Sequence, residues 1–236
     1  MRRTLLVLAG TVAVALGAGS APARATNECR GLMVCVRVAG PWVVVPRART
    51  VPRARVEFQL SCPRGFIVGG TDAELSDRGV DVAFLGKLGS PVGPGVTTGR
   101  SLVFVASYAG TGSGASTFRP HLGCLPAAGG GSGPVPYRPS AGVPPGEPTV
   151  RRVRTARLHP GTIGARQGCG PGEFLVSGWH AVGFYTARPP DSTLATAVAA
   201  ARSLRGGRVA VVARVTSAVR GVRAVLQVGA VCGGSR

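Results

Sequence analysis

Along much of this chain apolar residues recur at every second position or gather in short β-branched runs. Val56, Phe58 and Leu60 alternate with Glu57, Gln59 and Ser61, the period of a strand with one buried face. Trp42 to Val45, Phe66 to Val68, Val80 to Leu85, Ser101 to Tyr108, Phe174 to Tyr185, Arg208 to Val215 and Arg223 to Val231 read as further strands between Gly and Pro turns. Gly69 and Gly70, inside one of these runs, predict a bulge or the close approach of another backbone. One segment departs from the pattern: Asp191 to Leu204 is alanine-rich behind a capping Asp191, which predicts a short helix. The fold class that follows is all-β and sandwich-like.

The pattern is duplicated. CPRGFIVGG, from Cys62 to Gly70, returns as CGPGEFLVSG, from Cys169 to Gly178, and each copy runs on to a Val-rich closing strand with a second cysteine, Cys124 and Cys232. In the second copy Ser177 replaces the first of the paired glycines and Glu173 is an extra turn residue, so the bulge is expected to differ there. The units are a signal peptide (1–25), an extended N-terminal segment with a small disulfide loop (26–54), β repeat 1 (55–126), a Gly/Pro-rich linker (127–148) and β repeat 2 (149–236). The repeats stand either as two modules or packed as one pseudo-symmetric unit.

Residues 1–25 have the parts of a secretory signal: Arg2 and Arg3, an apolar run from Leu5 to Leu16, and Ala23-Arg24-Ala25 before the cut. The run is too short to span a bilayer, and secretion is expected. All six cysteines lie beyond it, which suits an oxidising compartment. Six cysteines allow about fifteen pairings. The duplication selects Cys62–Cys124 and Cys169–Cys232, with nearly equal spacing, and leaves Cys29–Cys35. Zinc at Cys29 and Cys35 would need further ligands at short spacing, and none is near.

The cysteine, turn, strand and paired-glycine element with its distant closing cysteine resembles secreted actinobacterial proteins with duplicated CPxGxxVxGG-type, disulfide-closed β repeats. The resemblance covers Cys62–Cys124 and Cys169–Cys232. It implies a secreted, wall-associated or extracellular β protein, and it brings no activity and no catalytic residues with it.

Charge narrows the partners. The chain has 28 Lys and Arg against 9 Asp and Glu, a formal charge of +19; three of the basic residues and none of the acids lie in the signal segment, which leaves about +16. Lys87 is the single lysine, so part of the arginine bias reflects a GC-rich codon supply, yet the charge still attracts polyanions. Two segments concentrate it. VPRARTVPRARV carries Arg47, Arg49, Arg53 and Arg55, and VRRVRTARLHPG carries Arg151, Arg152, Arg154 and Arg157. Alternating arginines on extended chain share a face and would contact a polyanion; the alternative is a solvated connector or a basic edge strand that resists aggregation. Trp179, His180 and Tyr185 form an aromatic cluster suited to stacking on a ligand, or to the core. Asp72, Glu74, Asp77 and Asp81 crowd one loop and are a calcium candidate, with salt bridging to surplus arginine as the simpler reading.

No nucleophile elbow, metalloprotease motif or paired-carboxylate motif is present, and the histidines are only His121, His159 and His180. His121 is expected as a partly exposed strand residue. The expectation is a non-enzymatic, cofactor-free secreted protein that associates with an anionic wall polymer or acidic glycan through its Arg-rich segments. It has no membrane span, and nucleic acid is not the expected physiological partner. A structural module that binds a protein or neutral glycan through its divergent loops is the second reading, and a hydrolase with a spatially assembled site is the third.

Overall fold

A computed structural model describes residues 26–32, 34–47, 52–85, 99–112, 114–127 and 149–234. The signal segment, Arg49 and nearly all of the 127–148 linker lie outside the described residues. The strands are β1 (Val36–Ala39), β2 (Trp42–Val45), β3 (Arg55–Ser61), β4 (Phe66–Leu75), β5 (Val80–Leu85), β6 (Ser101–Tyr108), β7 (Ser116–Pro126), β8 (Val150–Leu158), β9 (Gly161–Gly168), β10 (Phe174–Tyr185), β11 (Val198–Arg205), β12 (Arg208–Val215) and β13 (Arg223–Gly233), with a helical turn, α1 (Ser192–Ala195), before β11 and a 3-10 turn, Ser217–Val219, before β13. The chain is all-β, as its alternation predicts.

The strands form one large sheet and two small ones. β7 pairs with β4 on one side and with β1 and β2, end to end, on the other; the large sheet continues through β10 and β13 to β8. The small sheets are β3-β6-β5 and β11-β12-β9. The pairing order recurs in the two halves of the chain: β9, β12 and β11 pair as β3, β6 and β5 do, and β10·β13 pairs as β4·β7 does. β8 lies against β13 where β1 and β2 lie against β7.

What joins the halves is the strand of the extended N-terminal segment, Trp42–Val45. β2 pairs with β7 through Val43↔Phe118 and with β10 through Trp42↔Phe184, so the sheet runs unbroken from one half to the other. Alternation on β10 then decides where the small sheets sit. Trp179 and Ala181 belong to a core with Phe58, Phe104 and Phe118, whereas Val182 and Phe184 belong to a core with Val209, Val211 and Leu226. Successive side chains of a strand point to opposite faces, so the two small sheets cover opposite faces of the large one. β13 is buried from Ala224 to Gly233, which explains why it reads as a continuous apolar run.

One polar side chain stitches the halves. Gln227 of β13 is 4% exposed; its Oε1 accepts from the Gln59 N–H at 2.7 Å and its Nε2 donates to the Gln59 carbonyl at 2.9 Å. The side-chain amide thus does for β3 what a neighbouring strand would do.

The three disulfides pair as the duplication selects, with Cα–Cα distances of 5.7 Å for Cys29–Cys35, 5.8 Å for Cys62–Cys124 and 5.6 Å for Cys169–Cys232. Both cysteine-turn-strand copies bulge, at Gly69 in β4 and at Val176 in β10. The close approach expected at the paired glycines is present too: a Cβ on Gly70 would lie 1.9 Å from the Glu28 carbonyl oxygen, so only glycine lets the N-terminal segment cross there.

Three expectations change. The helix over 191–204 is a single turn capped by Asp191, whose Oδ1 accepts from the Leu194 N–H at 2.8 Å; the alanines beyond it form β11. A helix of that length is marginal alone, while eight residues paired with β12 satisfy the same backbone. β9 was not expected, because GTIGARQG has glycines and arginine in place of an apolar alternation. His121, expected partly exposed, is 6% exposed.

Candidate anion-binding surfaces

Among the described residues, four acids each hold an arginine of the two basic segments. Glu57 holds Arg151, Asp77 holds Arg47 at 3.4 Å, Asp81 holds Arg53 at 3.8 Å and Glu173 holds Arg152 at 2.7 Å. Four of the eight arginines named from the sequence are therefore engaged by the protein itself. Arg47 is the most enclosed: its guanidinium lies 4.2 Å above the Tyr108 ring and donates to Ser116 Oγ and to the Gly112 carbonyl. Asp77 accepts from the Gly79 N–H and the Tyr108 hydroxyl, and these bonds, the backbone one first, hold its carboxyl below the usual aspartate range, with Arg47 adding to the effect. Arg152 grips Glu173 through Nε and Nη2, while Glu173 also accepts from the Gly170 N–H. These are structural clamps.

The four carboxylates proposed for calcium go to separate partners. Asp72 accepts from the Asn27 N–H at 2.6 Å, Glu74 Oε1 lies 2.8 Å from His121 Nε2, and Asp77 and Asp81 take arginines. His121 also faces Glu28 at 3.9 Å, and Glu28 accepts from the Thr26 hydroxyl at 2.9 Å and lies 3.7 Å from Arg37. Glu28 and His121, 2% and 6% exposed, form the buried centre of this cluster, which ties the N-terminal segment to β4 and β7.

Surplus arginine collects elsewhere. The outer face of the β11-β12-β9 sheet is set by strand alternation: Val209, Val211, Ala213 and Val215 are buried, so Arg208, Ala210, Val212 and Arg214 point away from the core. Their cross-strand neighbours are Arg205, Ser203, Ala201 and Ala199 on β11, and Gly168, Arg166, Gly164 and Thr162 on β9. The face thus holds Arg166, Arg205, Arg208 and Arg214 on a floor of small residues, with Val212 52% exposed and no acid. Six residues of strand separate Arg208 from Arg214, about 20 Å. Arg208 lies across Gly168, where a Cβ would come within 3.1 Å of its Cγ.

Arg205 and Arg208 are directly opposed, joined by Gly206 and Gly207 with φ of 54° and 70°, the all-positive geometry of a two-residue hairpin. Like charges directly opposite destabilise a strand pair. The matching face of β3-β6-β5 carries Arg55 with Glu57 and Asp81, so its charge is nearly balanced. A uniform codon bias would load both faces alike.

Beside the basic face, a cleft of about 450 Å³ opens where β2 and β10 part. Its lining mixes apolar side chains, among them Val44, Val56, Ala181 and Val198, with the polar side chains of Arg55, His180 and Arg202. Two elements that the sequence separates by more than a hundred residues meet here: Arg55 of the first basic segment and Trp179-His180 of the aromatic cluster. Burial, and then the Arg202 charge, push His180 below the usual histidine range, which favours the neutral ring at pH 7. Tyr185 is elsewhere, stacked under Arg223 at 4.2 Å. Arg154 and Arg157 are exposed on β8, on alternate faces. Arg202 escaped the sequence reading because it sits in the segment taken for helix, and Arg166, Arg205, Arg208 and Arg214 because no run in the sequence gathers them.

No protein-family model, no curated protein and no solved structure matches the chain. Among the described residues no helix is long and apolar enough to cross a membrane.

Proposed function

We propose that this is a secreted binding protein that associates with an anionic polymer of the cell envelope or extracellular matrix through the outer face of β9, β11 and β12. The carrying observation is the concentration of Arg166, Arg205, Arg208 and Arg214 on one face whose described residues include no acid. The cross-strand Arg205–Arg208 pair supports the same reading, since a bound polyanion relieves the repulsion it creates. Small floor residues let a chain of sugars or phosphates lie close to the guanidinium groups. The contact thus shifts from the predicted basic segments, where Arg47, Arg53, Arg151 and Arg152 have carboxylate partners, to a face those segments do not include. Three disulfides are in keeping with an oxidising compartment.

Co-sedimentation of the mature protein with isolated envelope, over a salt series, tests this reading. Binding that is strong at low salt, falls as salt rises and is lost when Arg166, Arg205, Arg208 and Arg214 are changed together to Gln supports it. Equal binding by the two proteins moves the contact off this face. Salt-independent binding favours the second reading, a neutral or protein partner.

A further inference from the structure

The cleft between β2 and β10 presents a combination that the basic face lacks: an open strand edge, apolar walls and cations together. β10 is paired with β13 along its length but with β2 only at Gly183 and Phe184. Among the described residues no strand lies beside β10 from Gly178 to Ala181. The open edge is already seeking a partner, for the Gly178 carbonyl accepts from the Arg202 guanidinium that reaches over from β11. Alternate residues of a strand aim their N–H and C=O groups at the same side, so the Gly178 carbonyl places both backbone groups of His180 on that edge.

Around this edge the walls include Val44, Val56, Ala181 and Val198, and Arg55 and Arg202 are the charged groups; among the described residues no carboxylate lines the cleft. A ligand that satisfies all of these features has alternating backbone donors and acceptors, small apolar side chains and a negative charge at one end. We infer that the cleft binds a short extended peptide by its free C-terminal carboxylate, the peptide adding a strand to the β10 edge beside His180 while its carboxylate meets Arg55 and Arg202. Strand addition supplies main-chain hydrogen bonds, and the apolar walls select the alternate side chains. The volume, about 450 Å³, lies within the range of small-ligand sites. A simple apolar acid would meet the walls and the arginines but leave the His180 backbone groups unpaired. This inference does not depend on the basic outer face, whose four arginines do not line the cleft.

The test uses the full mature protein and a fluorescein-labelled tetrapeptide of alternating Val and Ala with a free carboxylate, followed by anisotropy. Beside it run the C-terminal amide of the same peptide, the same peptide with alternate backbone nitrogens methylated, and 4-phenylbutyrate as a competitor. The free acid should bind, with the amide and the methylated peptide each at least tenfold weaker and 4-phenylbutyrate a poor competitor. Arg202→Gln should weaken the free acid at least tenfold. Arg202 also holds the Gly178 carbonyl, so the second variant is Arg55→Gln, at an exposed side chain, which should weaken binding of the free acid several-fold. No binding of the free acid, equal binding of acid and amide, or full displacement by 4-phenylbutyrate at equal concentration would each overturn the inference. Retained polymer binding by Arg55→Gln, with peptide binding lost, would separate this site from the basic face.

Discussion

The hairpin between β11 and β12 offers a substitution in which stability and function should move in opposite directions. Arg205 and Arg208 face each other across the strand pair, with Cβ atoms at the roughly 5 Å spacing of directly opposed residues. Arg205→Glu replaces a repulsive pair by an attractive one. Cross-strand charge pairs contribute about 0.2–1 kcal/mol; these two side chains are exposed, so solvent screening keeps the gain near the low end of what burial would give. Summing lost repulsion and gained attraction, the variant should be more stable by about 0.5–1 kcal/mol at low salt. The gain should fade at roughly 1 M salt, where the Debye length is about 3 Å. Urea unfolding at two salt concentrations measures it. The same variant should bind the anionic polymer more weakly, because it puts a carboxylate on the basic face beside Arg208. Arg205→Glu with Arg208→Glu restores like charges and should lose the stability gain while binding weaker still. A single variant that is less stable than the parent, or that binds the polymer unchanged, would refute the reasoning.

Other perturbations probe the frame that positions the face and the cleft. Gln227→Leu strands the N–H and carbonyl of Gln59; each unpaired buried group costs about 1–3 kcal/mol, so urea unfolding should report a loss of about 2–4 kcal/mol in one transition, and two separate transitions would contradict a fold stitched across its halves. Trp42 and Trp179 are both buried, on β2 and β10, so intrinsic fluorescence reads the junction directly. Opening Cys62–Cys124, which spans 62 residues, should cost about 4 kcal/mol, and opening Cys29–Cys35, which spans 6, about 2 kcal/mol in the chain-entropy model; comparable losses would argue that the N-terminal loop does more than close itself. His180 has a depressed pKa in the fold, so its contribution to stability is present above the unfolded value of about 6.5 and is lost as pH falls from there through the folded value. NMR titration should find it below 6.5 and should find it raised by Arg202→Gln; a His180 that titrates at or above the unfolded value would contradict the burial and the Arg202 contact.

Much of the frame was legible in the sequence because it rests on local period and on duplication. Val56, Phe58 and Leu60 announce β3 by alternation alone, and equal cysteine spacing was enough to choose among the pairings. What escaped depends on long-range pairing. β9 carries no apolar alternation, since Gly161, Gly164 and Gly168 lie on it and only Ala165 of its residues is fully buried; its identity comes from β12. The alanines of β11 have helix propensity, which eight cross-strand partners override. The basic face was hidden for a related reason: its arginines come from three strands and are neighbours only across the sheet, whereas the visible arginine runs in sequence include the residues that the scarce acids neutralise. Arg55 and Trp179-His180 were each visible, but nothing in the order of residues indicated that β3 and β10 would bring them to one cleft.

The most direct measurement is the salt dependence of binding to a soluble polyanion, sulfated dextran, compared between the mature protein and the variant with Arg166, Arg205, Arg208 and Arg214 changed to Gln. Each cation that neutralises a polymer charge releases a counterion, so log affinity falls with log salt by roughly one unit per contact. The account predicts a steep slope for the parent and one shallower by about three or four units for the variant, with resistance to urea unchanged or slightly raised. Equal slopes for the two proteins would contradict it and place the polymer contact outside the β11-β12-β9 face.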